Sequence, residues 1–336
     1  MNMKKWMDDV RDSNVKKSMP ILSFPCVSLL GVTVSELINS SDLQAKGMKA
    51  VADRVDSAAA VSMMDLSVEA EAFGAQVRFS DTEVPTITGA LITSEEEAEA
   101  LNVPEIGAAR TSIYIDAIVK ACELIKDRPV FAGVIGPFSL AGRLMDVTET
   151  LVNCYVEPDM VKIVMEKVTQ FLIKYIQAYK NAGANGVVMA EPVMGLLSPD
   201  MAAEFAAPYV KQIIDAVQDD EFIVIYHNCG DSAINTVDSI LSVGAAAYQF
   251  GNSISMAEMM KKIPGDIVAM GNIDPVAQFC NGTAESIRKE TLDLMNELCN
   301  QYPNFLISSG CDIPPKSSWE NIDSFFNAVT DFYANK

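Results

Sequence analysis

Phe222-Ile223-Val224-Ile225-Tyr226-His227-Asn228-Cys229-Gly230 is an apolar run that ends in a histidine, a cysteine and a turn glycine. Residues 222–226 read as a buried strand, and Cys229-Gly230 as the start of the turn after it. Residues two apart on an extended chain point the same way, so His227 and Cys229 aim an imidazole and a thiolate at one point. That donor pair suits a zinc ion. His227 is the only histidine in the sequence. A third ligand of the right kind, Cys311, closes another apolar run, Phe305-Leu306-Ile307-Ser308-Ser309-Gly310-Cys311-Asp312.

Working outward, strand-like runs recur at 20–24, 59–64, 130–135, 186–190, 222–226, 246–250, 266–270 and 305–309. Most are short and bounded by Gly, Pro, Asn or Asp. Helical patterns separate most of them. The clearest follows Glu157-Pro158, with Val161, Val164, Val168, Phe171, Leu172 and Tyr175 on one stripe. Others start after Ser198-Pro199-Asp200, with a good N-cap and a proline in the first turn, and run from about 284 to 298. Strands alternating with helices predict an α/β fold, a single-domain (β/α)8 TIM barrel over 1–336. It would have a helical N-terminal segment over 1–19 and an insertion at about 73–105 after an early strand, with a hairpin at 77–88. The rival, an open doubly wound sheet, has no glycine fingerprint of the right spacing; Gly133-Val134-Ile135-Gly136-Pro137 comes nearest.

In such a barrel, function gathers where the strands end. The residues there are Asp65, Gly136-Pro137-Phe138, Glu191-Pro192, His227-Asn228-Cys229, Gly251-Asn252, Gly271-Asn272-Ile273-Asp274-Pro275 and Gly310-Cys311-Asp312. Composition narrows the partners. A net charge of −20 argues against nucleic acid. No apolar run reaches membrane-spanning length, and the N-terminus lacks a signal peptide's apolar core, so the expectation is a cytoplasmic protein. Seven irregularly spaced cysteines read as reduced thiols. Five of them, Cys26, Cys122, Cys154, Cys280 and Cys299, read as packing residues.

Gly271-Asn272-Ile273-Asp274-Pro275 and Gly136-Pro137-Phe138-Ser139-Leu140-Ala141 resemble signatures of the uroporphyrinogen decarboxylase superfamily, over nearly the whole chain. His227-Asn228-Cys229 with the distant Cys311 resembles the zinc motif of its corrinoid-dependent branch, the methylcobamide:coenzyme M methyltransferases. Asp65 with Glu69-Ala70-Glu71-Ala72-Phe73-Gly74 resembles that branch too. The decarboxylase's arginine-rich N-terminal motif has no counterpart in Lys17-Ser18-Met19-Pro20-Ile21-Leu22-Ser23-Phe24-Pro25.

The resemblance implies Zn2+ on His227, Cys229 and Cys311, with a fourth position for a small thiol. The thiolate would take a methyl group from a methylcorrinoid carried on a corrinoid protein, coenzyme M being the best single acceptor. Glu191, where that branch more often carries Asp, reads as a displaceable fourth ligand, an acceptor behind the ligands, or a loop cap. Asp65, Asn272 and Asp274 read either as hydrogen-bonding groups for substrate or ligands, or as turn and helix caps. Gly136, Pro137, Phe138 and Gly271 are assigned to the corrinoid. Two alternatives remain open: a uroporphyrinogen-type decarboxylase, and a non-catalytic zinc-stabilised barrel that docks corrinoid proteins. The reading leaves room for a homo-oligomer.

Overall fold

The computed structural model describes residues 1–334. Nine strands occur among them: β1 Ala60–Val61, β2 Gln76–Arg78, β3 Thr86–Thr88, β4 Val130–Ile135, β5 Gly186–Ala190, β6 Ile223–Asn228, β7 Ala247–Phe250, β8 Val268–Ile273 and β9 Phe305–Ser309. Seven form one parallel sheet in the order β1-β4-β5-β6-β7-β8-β9, and β2 pairs with β3 as a separate antiparallel hairpin. β4, β5 and β9 are buried at every residue, as parallel strands covered on both faces must be. The architecture is the α/β TIM barrel that the alternation predicts.

The strand expected at 20–24 is absent, and that expectation is corrected. The segment before β1 still spans the gap between β9 and β1, with isolated bonds in place of a ladder. Met19 N–H donates to the Ile307 carbonyl at 3.2 Å, and Ala58 N–H to the Ser18 carbonyl at 2.9 Å. Ile21 N–H donates to Ser309 Oγ at 3.0 Å. Pro20 has no N–H to give, so a regular ladder stops there. Within the expected helical segment 1–19, only Met3–Asp12 is helical. Its Met3 and Met7 join Phe131, Val188, Ile225, Ala247, Val268 and Leu306 in the apolar core inside the barrel, closing the end opposite the strand C-termini.

The second core lies between sheet and helices. The helix Pro158–Asn181 buries the predicted stripe from Val161 to Tyr175, each large side chain contributing roughly 1.5–3 kcal/mol. The helices Pro199–Phe205 and Ala284–Leu298 form where the sequence places them, capped by Ser198 and Thr283. The region 73–105 carries the β2–β3 hairpin and the short helix Glu95–Ala100. No helix among the described residues is long and apolar enough to cross a membrane.

Candidate metal centre

β6 runs two residues beyond the predicted end, and this places His227 inside the ladder. It pairs with Ala190 on one side and Gln249 on the other. Its carbonyl accepts the Glu191 N–H at 2.9 Å. The imidazole is 1% exposed. Neither ring nitrogen has a hydrogen-bond partner among the described residues. Cys229 lies just past the strand and Cys311 two residues past the end of β9. One ligand atom from each of His227, Cys229 and Cys311 lies within 4.8 Å of the other two.

The thiols are electrostatically coupled. The neighbouring Cys311 thiol lowers the Cys229 pKa, against the opposing effect of burial. The same proximity, with burial, pushes Cys311 up to about 12; the nearby imidazole offsets this only in part. A desolvated imidazole and two close sulfurs form the donor set of a three-ligand zinc centre. The site residues therefore fit the metal.

Both cysteine loops rest on Gly251-Asn252. A Cβ on Gly251 would lie 2.5 Å from Cys229 Cα, and one on Gly310 would lie 2.7 Å from Asn252 N. Only glycine permits these approaches. Ser253 Oγ donates to the Cys229 carbonyl at 3.1 Å, and Gly310 N–H to Ile273 O at 2.7 Å.

Glu191 is wholly buried behind His227, and its carboxylate turns away to the start of the helix Pro137–Met145. Phe138 N–H donates to Oε2 at 2.9 Å and Ser139 N–H to Oε1 at 2.6 Å; Ser139 Oγ adds a short bond. Burial raises its pKa to about 7, partly offset by the Ser139 hydroxyl and the two amides. A Cβ at Gly136 would meet Glu191 Oε2 at 2.3 Å, so this glycine admits the carboxylate. Gly136, Pro137 and Phe138 are thus organised around Glu191 in this structure.

The remaining assigned residues serve neighbouring loops. Asp65 Oδ2 accepts from Arg110 and, at 2.8 Å, from the Tyr114 hydroxyl; Oδ1 accepts from Ser67 Oγ at 2.6 Å and Ser67 N–H at 3.1 Å. Asn272 Nδ2 donates to the Gly251 and Ile254 carbonyls at 2.8 and 2.9 Å. Asp274 Oδ1 caps Val276 and Ala277, both at 2.8 Å, while Oδ2 accepts from Asn252 at 2.8 Å. Gly271 packs close to Met256 and the Phe250 carbonyl.

Three features took no individual role in the sequence reading. Arg110 bridges Asp65 and Glu71. Buried Glu69 holds Ile135 N–H at 3.0 Å with Oε1 while Oε2 has no partner. Asp312 keeps an unpartnered Oδ1, and burial, ahead of the neighbouring Cys311, raises its pKa well above the carboxylate range. Their partners lie far off in sequence or are absent, so no local spacing could reveal them.

Residues 25–332 match the profile of uroporphyrinogen decarboxylase (URO-D), and the chain belongs to that family. It is 23% identical to the methylcobamide:CoM methyltransferase MtbA of Methanosarcina acetivorans, across 80% of this chain and 78% of that protein. It is 29% identical to the uroporphyrinogen decarboxylase of Desulfotalea psychrophila, across 65% of each. A methyltransferase from Methanosarcina mazei has the same fold, with a TM-score of 0.87 at 20% identity over 99% of this chain and 98% of that one. A B12-independent methionine synthase from Shewanella sp. W3-18-1 is a more distant likeness, with a TM-score of 0.58 at 12% identity over 96% of each chain.

Proposed function

We propose that this protein is a zinc-dependent methyltransferase. It moves a methyl group from a methylcorrinoid, carried on a partner corrinoid protein, to a small thiol, with coenzyme M as the acceptor. The observation that carries this reading is the buried imidazole of His227, unpartnered at both nitrogens and facing two sulfurs. A buried polar atom without a partner costs about 1–3 kcal/mol, so a fold that keeps two on one ring has a use for them. His227, Cys229 and Cys311 would hold zinc and leave a fourth position open. Bound there, the metal would make the acceptor thiol a thiolate at neutral pH.

The chain's own residues hold this arrangement. The Glu191 N–H fixes the His227 carbonyl, and the Glu191 carboxylate is anchored on the N-terminus of the helix Pro137–Met145. Ala190, Ile225 and Met270 belong to the apolar packing inside the barrel, which excludes water from below. Asp65, Asn272 and Asp274 hold neighbouring loops through their hydrogen bonds, and the buried Gly136-Pro137-Phe138 turn and Gly271 are proposed as backbone supporting the corrinoid side. The relative named a methylcobamide:CoM methyltransferase supports the choice of donor and acceptor. The decarboxylase reading is weaker because the buried segment from Ser18 to Cys26 has no arginine for a substrate rich in carboxylates.

The test is loss of the methyl–cobalt absorption of free methylcobalamin, run with several thiols. Thiol-dependent, zinc-dependent loss is expected, strongest with coenzyme M and abolished in Cys229→Ser. Acceptor binding should also release about one proton near neutral pH. Turnover of uroporphyrinogen, or thiol methylation that survives metal removal, would overturn the reading.

A further inference from the structure

We propose that Cys229 and Cys311 are an oxidisable dithiol, and that its closure to a disulfide shuts the site to metal. The inference rests on the metal part of the proposed function. It stands on how the two cysteines are held together. Their sulfurs lie within 4.8 Å of each other and of the His227 ring. Both loops pack on the same segment, Cys229 against Gly251 and Gly310 against Asn252. Backbone bonds fix both loops: Gly251 N–H to the Asn228 carbonyl at 3.1 Å, and Gly310 N–H to Ile273 O at 2.7 Å. The sulfurs are therefore apposed by the packing of their two loops. Both cysteines are intermediate in exposure, not sealed in the core. Side-chain rotation has to shorten the gap to about 2.05 Å, the length of a disulfide.

The oxidant is a small organic disulfide, RSSR, the oxidised counterpart of the thiol class proposed as acceptor. Cys229 thiolate attacks one sulfur of RSSR; the Cys229–SR bond forms, the S–S bond of RSSR breaks and RS− leaves. Cys311 gives its proton to solvent and attacks the Cys229 sulfur. The Cys229–Cys311 bond forms and the second RS− leaves. Two electrons pass from the cysteine pair to RSSR, which ends as two thiols. A disulfide offers no thiolate to zinc, so two of three ligands are lost together. Exposure to its oxidised acceptor would switch the enzyme off, and a dithiol reductant would restore it.

The test uses metal-stripped wild-type protein and bis(2-hydroxyethyl) disulfide. Two of the seven thiols should disappear. Mass spectrometry should find the Cys229 peptide joined to the Cys311 peptide. Zinc uptake should vanish and return on reduction. Cys311→Ser should instead accumulate a mixed disulfide on Cys229, because nothing resolves it. A lasting mixed disulfide on Cys229 in the wild type, with no link to Cys311, overturns the proposal. So does cross-linked protein that still binds about one zinc. If reduced protein takes up no zinc at all, the metal reading fails separately, and the peptide link still decides whether the dithiol closes.

Discussion

Two buried polar clusters stand beyond the strand ends, and they are opposites. Both oxygens of Asp65 are answered. Arg110 gives Nε to Glu71, one terminal nitrogen to Asp65 and the other to Ser67 Oγ, while Tyr114 and Ser67 fill the remaining places on Asp65. Around His227 no ring nitrogen is answered. The first cluster is complete within the chain. It joins 65–71, before the expected insertion at about 73–105, to 110–114 after it, and so acts as a clasp. The second is left incomplete by the chain itself. Buried polar groups are normally satisfied, so the unsatisfied cluster is where a ligand belongs.

The largest expected effect lies at the incomplete cluster. Wild-type protein should carry about one zinc per chain, and Cys229→Ser or Cys311→Ser should fall below about a tenth of that, with circular dichroism unchanged. The barrel's two apolar cores do not depend on the metal, so the fold should survive. Full zinc in a His227→Ala/Cys311→Ser double variant would erase the contrast. The complete cluster should behave in the reverse way. Arg110→Met leaves Asp65 and Glu71 without their cation, and the Arg110 side chain is only 5% exposed. Breaking a buried pair from one side typically costs about 3–5 kcal/mol. Urea unfolding should show that loss while zinc content stays put. Zinc loss in Arg110→Met without loss of stability would show that the clasp serves the metal.

Glu191 sharpens the comparison because it touches both kinds of role. Its carboxylate is satisfied by Phe138 and Ser139, yet its N–H holds the His227 carbonyl. Glu191→Gln puts an amide donor against backbone donors and loosens the strand end that carries His227. Zinc should remain, with metal affinity or methyl transfer weakened roughly 10–100-fold. Complete zinc loss would make Glu191 a ligand in its own right; unchanged kinetics would make it a helix cap alone.

Much of this was legible in the chain. β4, β5 and β9 match their apolar runs residue for residue, because strands buried on both faces have no polar alternation to blur their ends. The approach of His227 to Cys229 was legible from their two-residue spacing, although Cys229 falls just past the strand end. Pro20 misled in the other direction: an apolar run with a proline reads as a strand, yet the missing N–H interrupts the ladder. The clasp and the Glu191 cap were hidden. Arg110 meets Asp65 across 45 residues, and Glu191 meets Ser139 across 52. Local period carries no trace of such pairings. The hairpin at 77–88 was legible from sequence, with strands at Gln76–Arg78 and Thr86–Thr88, but the clasp beside it was not.

The smallest effect, at Glu69, tests the rule behind the comparison. Glu69 is the intermediate case: Oε1 is answered by Ile135 N–H, and Oε2 is buried with no partner. Burial raises its pKa from 4.5 to about 8. The folded protein therefore holds this proton more tightly than the unfolded chain does. The associated stability is fully present below about pH 4.5 and is lost as pH rises through about 8. Glu69→Gln keeps an acceptor for Ile135 and cannot ionise. Wild type and variant should melt together near pH 5. By about pH 9 the variant should be the more stable, by roughly a few degrees. Because the comparison is between two proteins differing at one residue, titration of the thiols and of Glu191 largely cancels. A melting gap that does not change with pH would mean that an unpartnered buried oxygen carries little penalty in this barrel. The unpartnered imidazole of His227 would then lose its force as a sign of a bound metal.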